Sequence, residues 1–329
     1  MSVVVVAPYP PRSCGIGAYA AAQVERLREE GDRVTVISPP DCDGDVRVRF
    51  HGGRPFRTAE REGAGADRIV VHFQPALYYR PRAPLSKIAT SRALHRLVRR
   101  RPQTEILVHE ADPPIRWRPD YLILRRVFRD APVLLFHTDR EREALERDYS
   151  VTVRSRIVAH TDGVRVHPVS RREARSRLGI DPDATVLVAP GFLHPDKGIE
   201  RAIEAAGEVA GVRLYVVGSV KDPTPRNLEY ADRLRELARD APEVELVESY
   251  PTDDEFDAWI VAADAVVLPY RRSWSSGALA RAQVLGVPAI VTAVGGLGEQ
   301  ATSRDVVVQD DRGLREAMSR LRTPGRVAR

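Results

Sequence analysis

The chain is predicted to fold as two α/β domains, each a doubly wound parallel sheet covered by helices. Three observations lead there. Short apolar runs such as Val3–Ala7, Arg68–Phe73 and Val186–Ala189 lack the alternation of a half-exposed strand, as expected where both faces are covered. Between them lie stretches whose apolar residues recur at helical spacing, so strands and helices alternate. The 329 residues exceed one ordinary core and suit two domains of roughly 150 residues each. The predicted domains are residues 1–165 and 171–329, joined by the Gly- and Pro-containing stretch His160–Arg171.

In the first half, strand Val3–Ala7 leads through the loop Pro8–Gly15 into a helix from about Gly17 to Glu30. Gly31 ends that helix as a natural C-cap, and Asp32–Ile37 is the next strand. Gly15, Ile16 and Gly17 form a glycine loop at the helix mouth. It is not a dinucleotide fingerprint, because the third glycine and the acidic residue after the second strand are missing. Residues 40–66 read as loop around a short strand, Val46–Phe50. Arg68–Phe73 is a strand, and Ser86–Arg101 is a basic amphipathic helix. Its Ile88, Leu94, Leu97 and Val98 face inward, while Arg92, Arg96, Arg99 and Arg100 face out. Glu105–His109 and Val133–His137 are strands that end in histidine. Ligands gather at the carboxyl ends of strands in open α/β sheets, so His109 is a candidate. A charged helix, Asp139–Asp148, and a strand, Arg156–Ala159, complete this half.

In the second half the strands are Val186–Ala189, Leu214–Val217, Val244–Val247, Ala265–Leu268, Ala289–Val291 and Val306–Val308. Helices Gly198–Val209, Thr224–Arg239, Thr252–Ala262 and Ser276–Leu285 fall between them. A last helix starts near Asp311 and is expected to pack either here or back toward the first domain. The stretch VLVAPGFLHPDKGIERAIEAA sets Lys197 at a helix mouth, beside unpaired backbone N–H groups. Such a mouth with an adjacent ammonium suits an anion, phosphate above all. The chain's only lysines are Lys87, Lys197 and Lys221, so lysine here is not a routine choice in an arginine-rich protein. The plain alternative is a solvent-facing lysine in a βα loop. A second helix mouth follows strand 265–268. There Ser275, Ser276 and Gly277 cap the helix, and small residues let N–H groups approach a phosphate. Gly295 and Gly296 make a further glycine loop.

Composition narrows the class. Hydrophobic and charged contents of 43% and 29% are those of a globular chain, not a disordered one. No apolar run reaches the ~20 residues of a membrane span. The first residues carry no basic leader segment, and Cys14 and Cys42 are too few for a disulfide framework. A cytoplasmic protein is expected. The net charge of +5 permits phosphorylated ligands or an anionic membrane surface, and without aromatic-basic interleaving nucleic acid is not expected.

The stretches GFLHPDKGIERAIEAA, VVLPY and SSGALARAQVLGVPAIVTAVGGL resemble the C-terminal domain of retaining GT-B glycosyltransferases, the large family-4 or group 1 type. The loop GIGAYA and the strand-end pair His109-Glu110 fit the same group, so the resemblance covers most of the chain. It implies two Rossmann-like domains facing across a cleft, an acceptor-side first domain and a second that binds the nucleotide sugar. It further implies donor contacts from Gly15, Ile16, Gly17, Gly191, Phe192, Lys197, Gly198, Ser275, Ser276 and Gly277. Tyr250 would border the base, and His109 would face the transferred sugar. His109 and Lys197 are the candidate catalytic residues.

The implied reaction moves a sugar, a hexose above all, from a nucleotide-diphosphate donor to a small-molecule, glycan or lipid-linked acceptor, with retention. No metal and no cofactor are expected; Lys197 and helix N–H groups would meet the leaving-group charge. Peripheral contact with the inner membrane face, through the basic helix, is a further expectation. The sequence departs from the family pattern at three positions. Phe192 replaces a common Arg, and Ser273 and Arg281 stand where a Glu-x7-Glu pair is usual. Arg271 or Arg272 is a substitute cation by proximity in sequence. The competing readings are a nucleotide- or sugar-binding protein without transfer activity and a sugar-nucleotide epimerase.

Overall fold

The computed structural model describes residues 1–12, 14–80, 82–111, 115, 117–167 and 169–321. The chain divides into two compact units, Met1–Val164 and Arg165–Arg329. The first contains, in order, β1 (Ser2–Val6), α1 (Gly15–Glu29), β2 (Arg33–Ser38), β3 (Val46–Arg47), α2 (Arg54–Glu62), β4 (Arg68–Phe73), α3 (Pro75–Tyr78), α4 (Pro84–Arg100), β5 (Thr104–Val108), α5 (Pro119–Asp130), β6 (Val133–Phe136), α6 (Asp139–Tyr149) and β7 (Ser155–Ile157). Its seven strands run parallel in the order β3-β2-β1-β4-β5-β6-β7. Val3, Val5 and Val6 of β1 and Val70 and Val71 of β4 are fully buried. These β-branched residues suit a strand closed on both faces.

The second unit contains α7 (Arg171–Arg177), β8 (Thr185–Pro190), α8 (Ile199–Gly207), β9 (Val212–Gly218), α9 (Pro225–Asp240), β10 (Val244–Glu248), α10 (Asp253–Ala262), β11 (Ala265–Leu268), α11 (Gly277–Val284), β12 (Ala289–Thr292), α12 (Leu297–Gln300), β13 (Val306–Val308) and α13 (Asp311–Arg320). The six parallel strands follow the order β10-β9-β8-β11-β12-β13. In each sheet the order reverses beside the first strand, between β1 and β4 and between β8 and β11. Those are the switch points where crevices open at the strands' carboxyl ends. The last helix, α13, packs Leu314, Ala317 and Met318 into the core that holds Ile199, Ala202 and Ile203 of α8; residues 322–329 lie outside the described residues.

Several sequence expectations are corrected. Gly15, Ile16 and Gly17 are not a loop but the first turn of α1. Residues 40–66, expected as loop, hold helix α2. Pro55 sits in its first turn, where a missing N–H costs nothing, and Phe56 and Ala59 are fully buried. Its charged surface had hidden that short apolar face. Strand β3 ends at Arg47, not Phe50. Helix α5, with Tyr121, Leu124, Val127 and Phe128 inward, and the short α7 are additions to the expected elements.

Candidate functional site

At the switch point of the second unit, the loops after β8 and β11 are stitched together through their backbones. Gly191 stands at φ +132°, and its N–H donates to Val217 O at 2.9 Å. A Cβ on Gly218 would fall 1.7 Å from Gly191 O, so only glycine permits that approach. A Cβ on Gly198, itself at φ +57°, would meet Pro269 O at 2.4 Å. The N–H groups of Arg271 and Arg272 both donate to Asp196 O, at 2.9 and 3.2 Å. Lys197 closes a short 3-10 turn, Pro195–Lys197, and Gly198 caps α8.

Tyr270, on the loop after β11, joins the two predicted helix mouths. The Lys197 ammonium lies 3.8 Å from the centroid of its ring, within cation–π reach. The Tyr270 hydroxyl lies 3.3 Å from Ser276 Oγ, and Ser276 caps α11 by accepting from Leu279 N–H. Tyr270 ends the stretch VVLPY quoted above, but the sequence assigned it no contact of its own.

The two mouths differ. At α8 the Ile199 N–H donates to the Tyr230 hydroxyl at 2.8 Å, and Tyr230 donates to the buried carboxylate of Glu200. Glu200 is an anion already seated in the helix's first turn, where the positive end of the dipole favours it. At α11 the Gly277 and Ala278 N–H groups have no hydrogen-bond partner among the described residues. Of the two mouths, that of α11 is therefore the one with unfilled donors among the described residues. Arg271, offered above as a substitute cation, pairs with Glu200 through Nε at 3.0 Å and Nη2 at 2.5 Å.

The positions that depart from the family pattern have structural partners of their own. Ser273 Oγ donates to Ser275 O at 2.9 Å. Arg281 pairs with Asp257 and Asp253. Asp257 is wholly buried and also accepts from His167 N–H at 2.7 Å. Phe192 packs its ring 6.0 Å from that of Tyr250, and the Lys221 ammonium lies 5.1 Å from the Phe192 centroid. Tyr250 is 53% exposed.

In the first unit, Gly15, Ile16 and Gly17 open α1 after β1. A Cβ on Gly15 would meet nothing within 4 Å, and one on Gly17 would make ordinary contact at 3.5 Å with Pro8. Packing therefore demands glycine at neither position, which leaves open space at this mouth.

His109 lies at the carboxyl end of β5, in a cluster that the sequence did not reveal. The Tyr19 ring is flanked by His72, His109, His137 and His160, with centroids 5.3 to 5.8 Å away. His72 Nδ1 is 3.0 Å from His109 Nε2, and His72 Nε2 is 3.0 Å from Gln23 Oε1. His137 and His160 stack at 4.1 Å. Burial disfavours the charged imidazole. It lowers His72 to about 3 and His137 to about 4, and pushes His109 and His160 well below the usual histidine range. The histidines repel each other's charge as well, so the cluster is neutral near pH 7.

Two expectations concern other chemistry. Asp41, Asp43 and Asp45 alternate along the chain, yet Asp45 accepts from Val36 N–H at 2.7 Å and Asp43 pairs with Arg47. Among the described residues no group of three His, Cys, Asp or Glu is arranged to hold a metal ion. On the basic helix α4, Arg96 and Arg100 reach the Glu60 carboxylate at 2.9 and 3.0 Å. Two of its four outward arginines thus share one carboxylate within the fold, which offsets one of their two charges. Among the described residues no helix is long and apolar enough to cross a membrane.

Residues 184–323 match the family model described as Glycosyl transferases group 1. The D-inositol 3-phosphate glycosyltransferase of Mycobacterium marinum is 30% identical over 191 residues, which are 56% of this chain and 39% of that protein. The enzyme of the same name from Nocardioides is 32% identical over 190 residues, 52% of this chain and 41% of that one. Each match spans less than half the relative's length. Among solved structures, sucrose-phosphate synthase from Thermosynechococcus elongatus superposes with a TM-score of 0.70 at 18% identity, covering 98% of this chain and 89% of that one. HepE from Anabaena, in complex with UDP-glucose, gives 0.68 at 12% identity, covering 97% and 89%. Identities this low speak for the fold alone. The similarity to the group 1 glycosyltransferases is carried by residues 184–323, and the two Rossmann-like sheets have the GT-B fold of the solved structures.

Proposed function

We propose that this chain transfers a hexose from a nucleotide-diphosphate donor to an acceptor hydroxyl, with retention at the anomeric carbon. One observation carries the reading. The Lys197 ammonium, the Tyr270 ring and the Ser276 cap form a continuous set that ends at the open N–H groups of α11. In this reading the diphosphate sits against Lys197, Gly277 and Ala278, and the loop Gly191–Gly198 closes the site from β8. Charge grows on the diphosphate as the glycosidic bond breaks, and a fixed ammonium and oriented N–H groups stabilise it without reorganising. An ammonium ~4 Å from a phosphate oxygen contributes about 4 kcal/mol before desolvation at an effective dielectric of ~20. The exposed Tyr250 face and Phe192 border the base. On the first unit, His109 is the group offered to a substrate hydroxyl.

The Anabaena complex supports UDP-glucose as the first donor to try, and the relatives' names support a small polyol acceptor. The two cysteines are buried and unpaired, which fits a reducing cytoplasm. Contact with a membrane would rest on Arg92 and Arg99, left exposed on α4, and on Leu85, 81% exposed at its start. Salt-sensitive co-sedimentation with anionic liposomes, lost in an Arg92→Glu, Arg99→Glu variant, tests that contact.

The decisive experiment is a thermal-shift panel of nucleoside diphosphates and their sugar conjugates, followed by turnover with the best binder. Ligand binding raises apparent stability by mass action, so the donor stands out. A stabilising sugar nucleotide that is never cleaved makes the protein a binder; no shift from any of them removes the donor site.

A further inference from the structure

The hydrogen bonds through His72 have a direction. His72 is wholly buried within β4. Its Nε2 faces the amide oxygen of Gln23 at 3.0 Å, and its Nδ1 faces His109 Nε2 at 3.0 Å. An amide oxygen only accepts, so the proton of His72 resides on Nε2. A neutral imidazole has a single N–H, which leaves His72 Nδ1 as an acceptor and makes His109 Nε2–H its donor. The same rule then leaves Nδ1 of His109 as a bare lone pair. That atom has no hydrogen-bond partner among the described residues, and His109 is half-buried at the carboxyl end of its strand.

We propose that Gln23 and His72 are positioning residues that hold His109 as its Nε2–H tautomer, so that His109 Nδ1 accepts a hydrogen bond from a substrate hydroxyl. The surroundings favour the neutral form. Tyr19 and His137 pack against the ring, and Asp162, Arg26 and Arg68 are charged groups that act on the cluster. The consequence is selectivity by chemical class. A lone pair receives a neutral hydroxyl, whereas a carboxylate or phosphate oxygen would meet it as one acceptor facing another. The role of the hydroxyl rests on the transferase reading given above; the tautomer does not.

The test uses two-bond ¹H–¹⁵N spectra of the full-length, ¹⁵N-labelled chain, which report which ring nitrogen carries the proton. Both His72 and His109 are expected as Nε2–H tautomers. Gln23→Glu, whose carboxylate can only accept at neutral pH, should preserve that pattern. His72→Phe should release His109 into a mixture of tautomers. It should also lower kcat for UDP-glucose turnover by tenfold or more with KM within about twofold, and His72→Gln, which restores an acceptor, should recover part of the loss. A proton on Nδ1 of His109 in the parent protein, or an unchanged His109 tautomer in His72→Phe, overturns the proposal. If the tautomers are as expected and UDP-glucose is not turned over, the positioning stands and the transferase reading falls. Turnover with the reversed tautomer removes the positioning and leaves the transferase reading in place.

Discussion

Arg281 and Asp257 form an ion pair in which the carboxylate is wholly buried and the guanidinium nearly so, at 0% and 13% side-chain exposure. Asp253 adds a second carboxylate, and the backbone of His167 a further donor to Asp257. A buried ion pair gives little net stability, but removing one partner strands the other and costs about 3–5 kcal/mol. Arg281→Ala is therefore expected to lower stability by about that amount, read as a lower urea midpoint with an unchanged slope. Arg281→Glu, which restores the residue type usual in the family, should be worse, because it faces Asp257 with a like charge. A parent-like midpoint in both variants would contradict the pairing.

Lys197 and Arg271 separate a ligand-facing cation from a structural one. Lys197 has a ring contact worth about 0.5–1 kcal/mol at an accessible site, so Lys197→Ala should fold normally. Its kcat/KM for the donor should fall by about a hundredfold or more, the scale of losing one preorganised charge-stabilising group. Arg271→Ala should show the opposite profile. It leaves buried Glu200 without its guanidinium, costing about 1–3 kcal/mol of stability, while donor affinity changes little. Near-parent kcat/KM in Lys197→Ala, or selective loss of donor binding in Arg271→Ala, would exchange the two roles.

The histidine cluster gives the first unit an acid-sensitive stability. His72 and His137 have folded pKa values lowered to about 3 and 4 by burial, against about 6.5 in an unfolded chain. Between those limits the unfolded state binds more protons, so stability rises with pH there and is lost as pH falls from about 6.5 toward 4. Each such histidine contributes a slope approaching about 1.4 kcal/mol per pH unit. A His72→Phe, His137→Phe variant should show a flatter profile over that window. An equally steep profile would mean that other groups set the acid limit.

The alternating strands and helices were legible because each is a short apolar run or an amphipathic stretch between Gly and Pro breaks. Strands β4, β11 and β13 match their expected ranges to the residue. Lys197 stood out by rarity and by its place at a helix mouth. What stayed hidden depends on pairing between distant segments. His72 reads as one polar residue in an apolar strand, and its link to His109 exists only because β4 and β5 align in register, Phe73 beside Val108. The engagement of Arg271 by Glu200 and of Arg96 and Arg100 by Glu60 likewise joins residues 36 to 71 positions apart. Sequence shows the charge but not its partner. Helix α2 was missed because arginine and glutamate fill all but a narrow face.

His109→Ala tests the division of roles between the two units. In the proposed reading the diphosphate is held by Lys197 and the mouth of α11, all in the second unit, while His109 is in the first. Its imidazole is neutral near pH 7, since burial and the neighbouring histidines hold its pKa far below the usual range. It can therefore accept from a hydroxyl without adding positive charge beside an oxocarbenium-like transition state. Loss of one such bond, made more strongly as the sugar approaches that state, lowers kcat and leaves ground-state binding nearly intact. The expected result is a kcat reduced by about tenfold or more, with UDP affinity by calorimetry within about twofold of the parent. Truncation also frees His72 Nδ1, so a small loss of thermal stability should accompany it. If the variant kept its turnover and lost UDP affinity, His109 would belong to the nucleotide's binding surface, and the assignment of diphosphate to the second unit would fall with it.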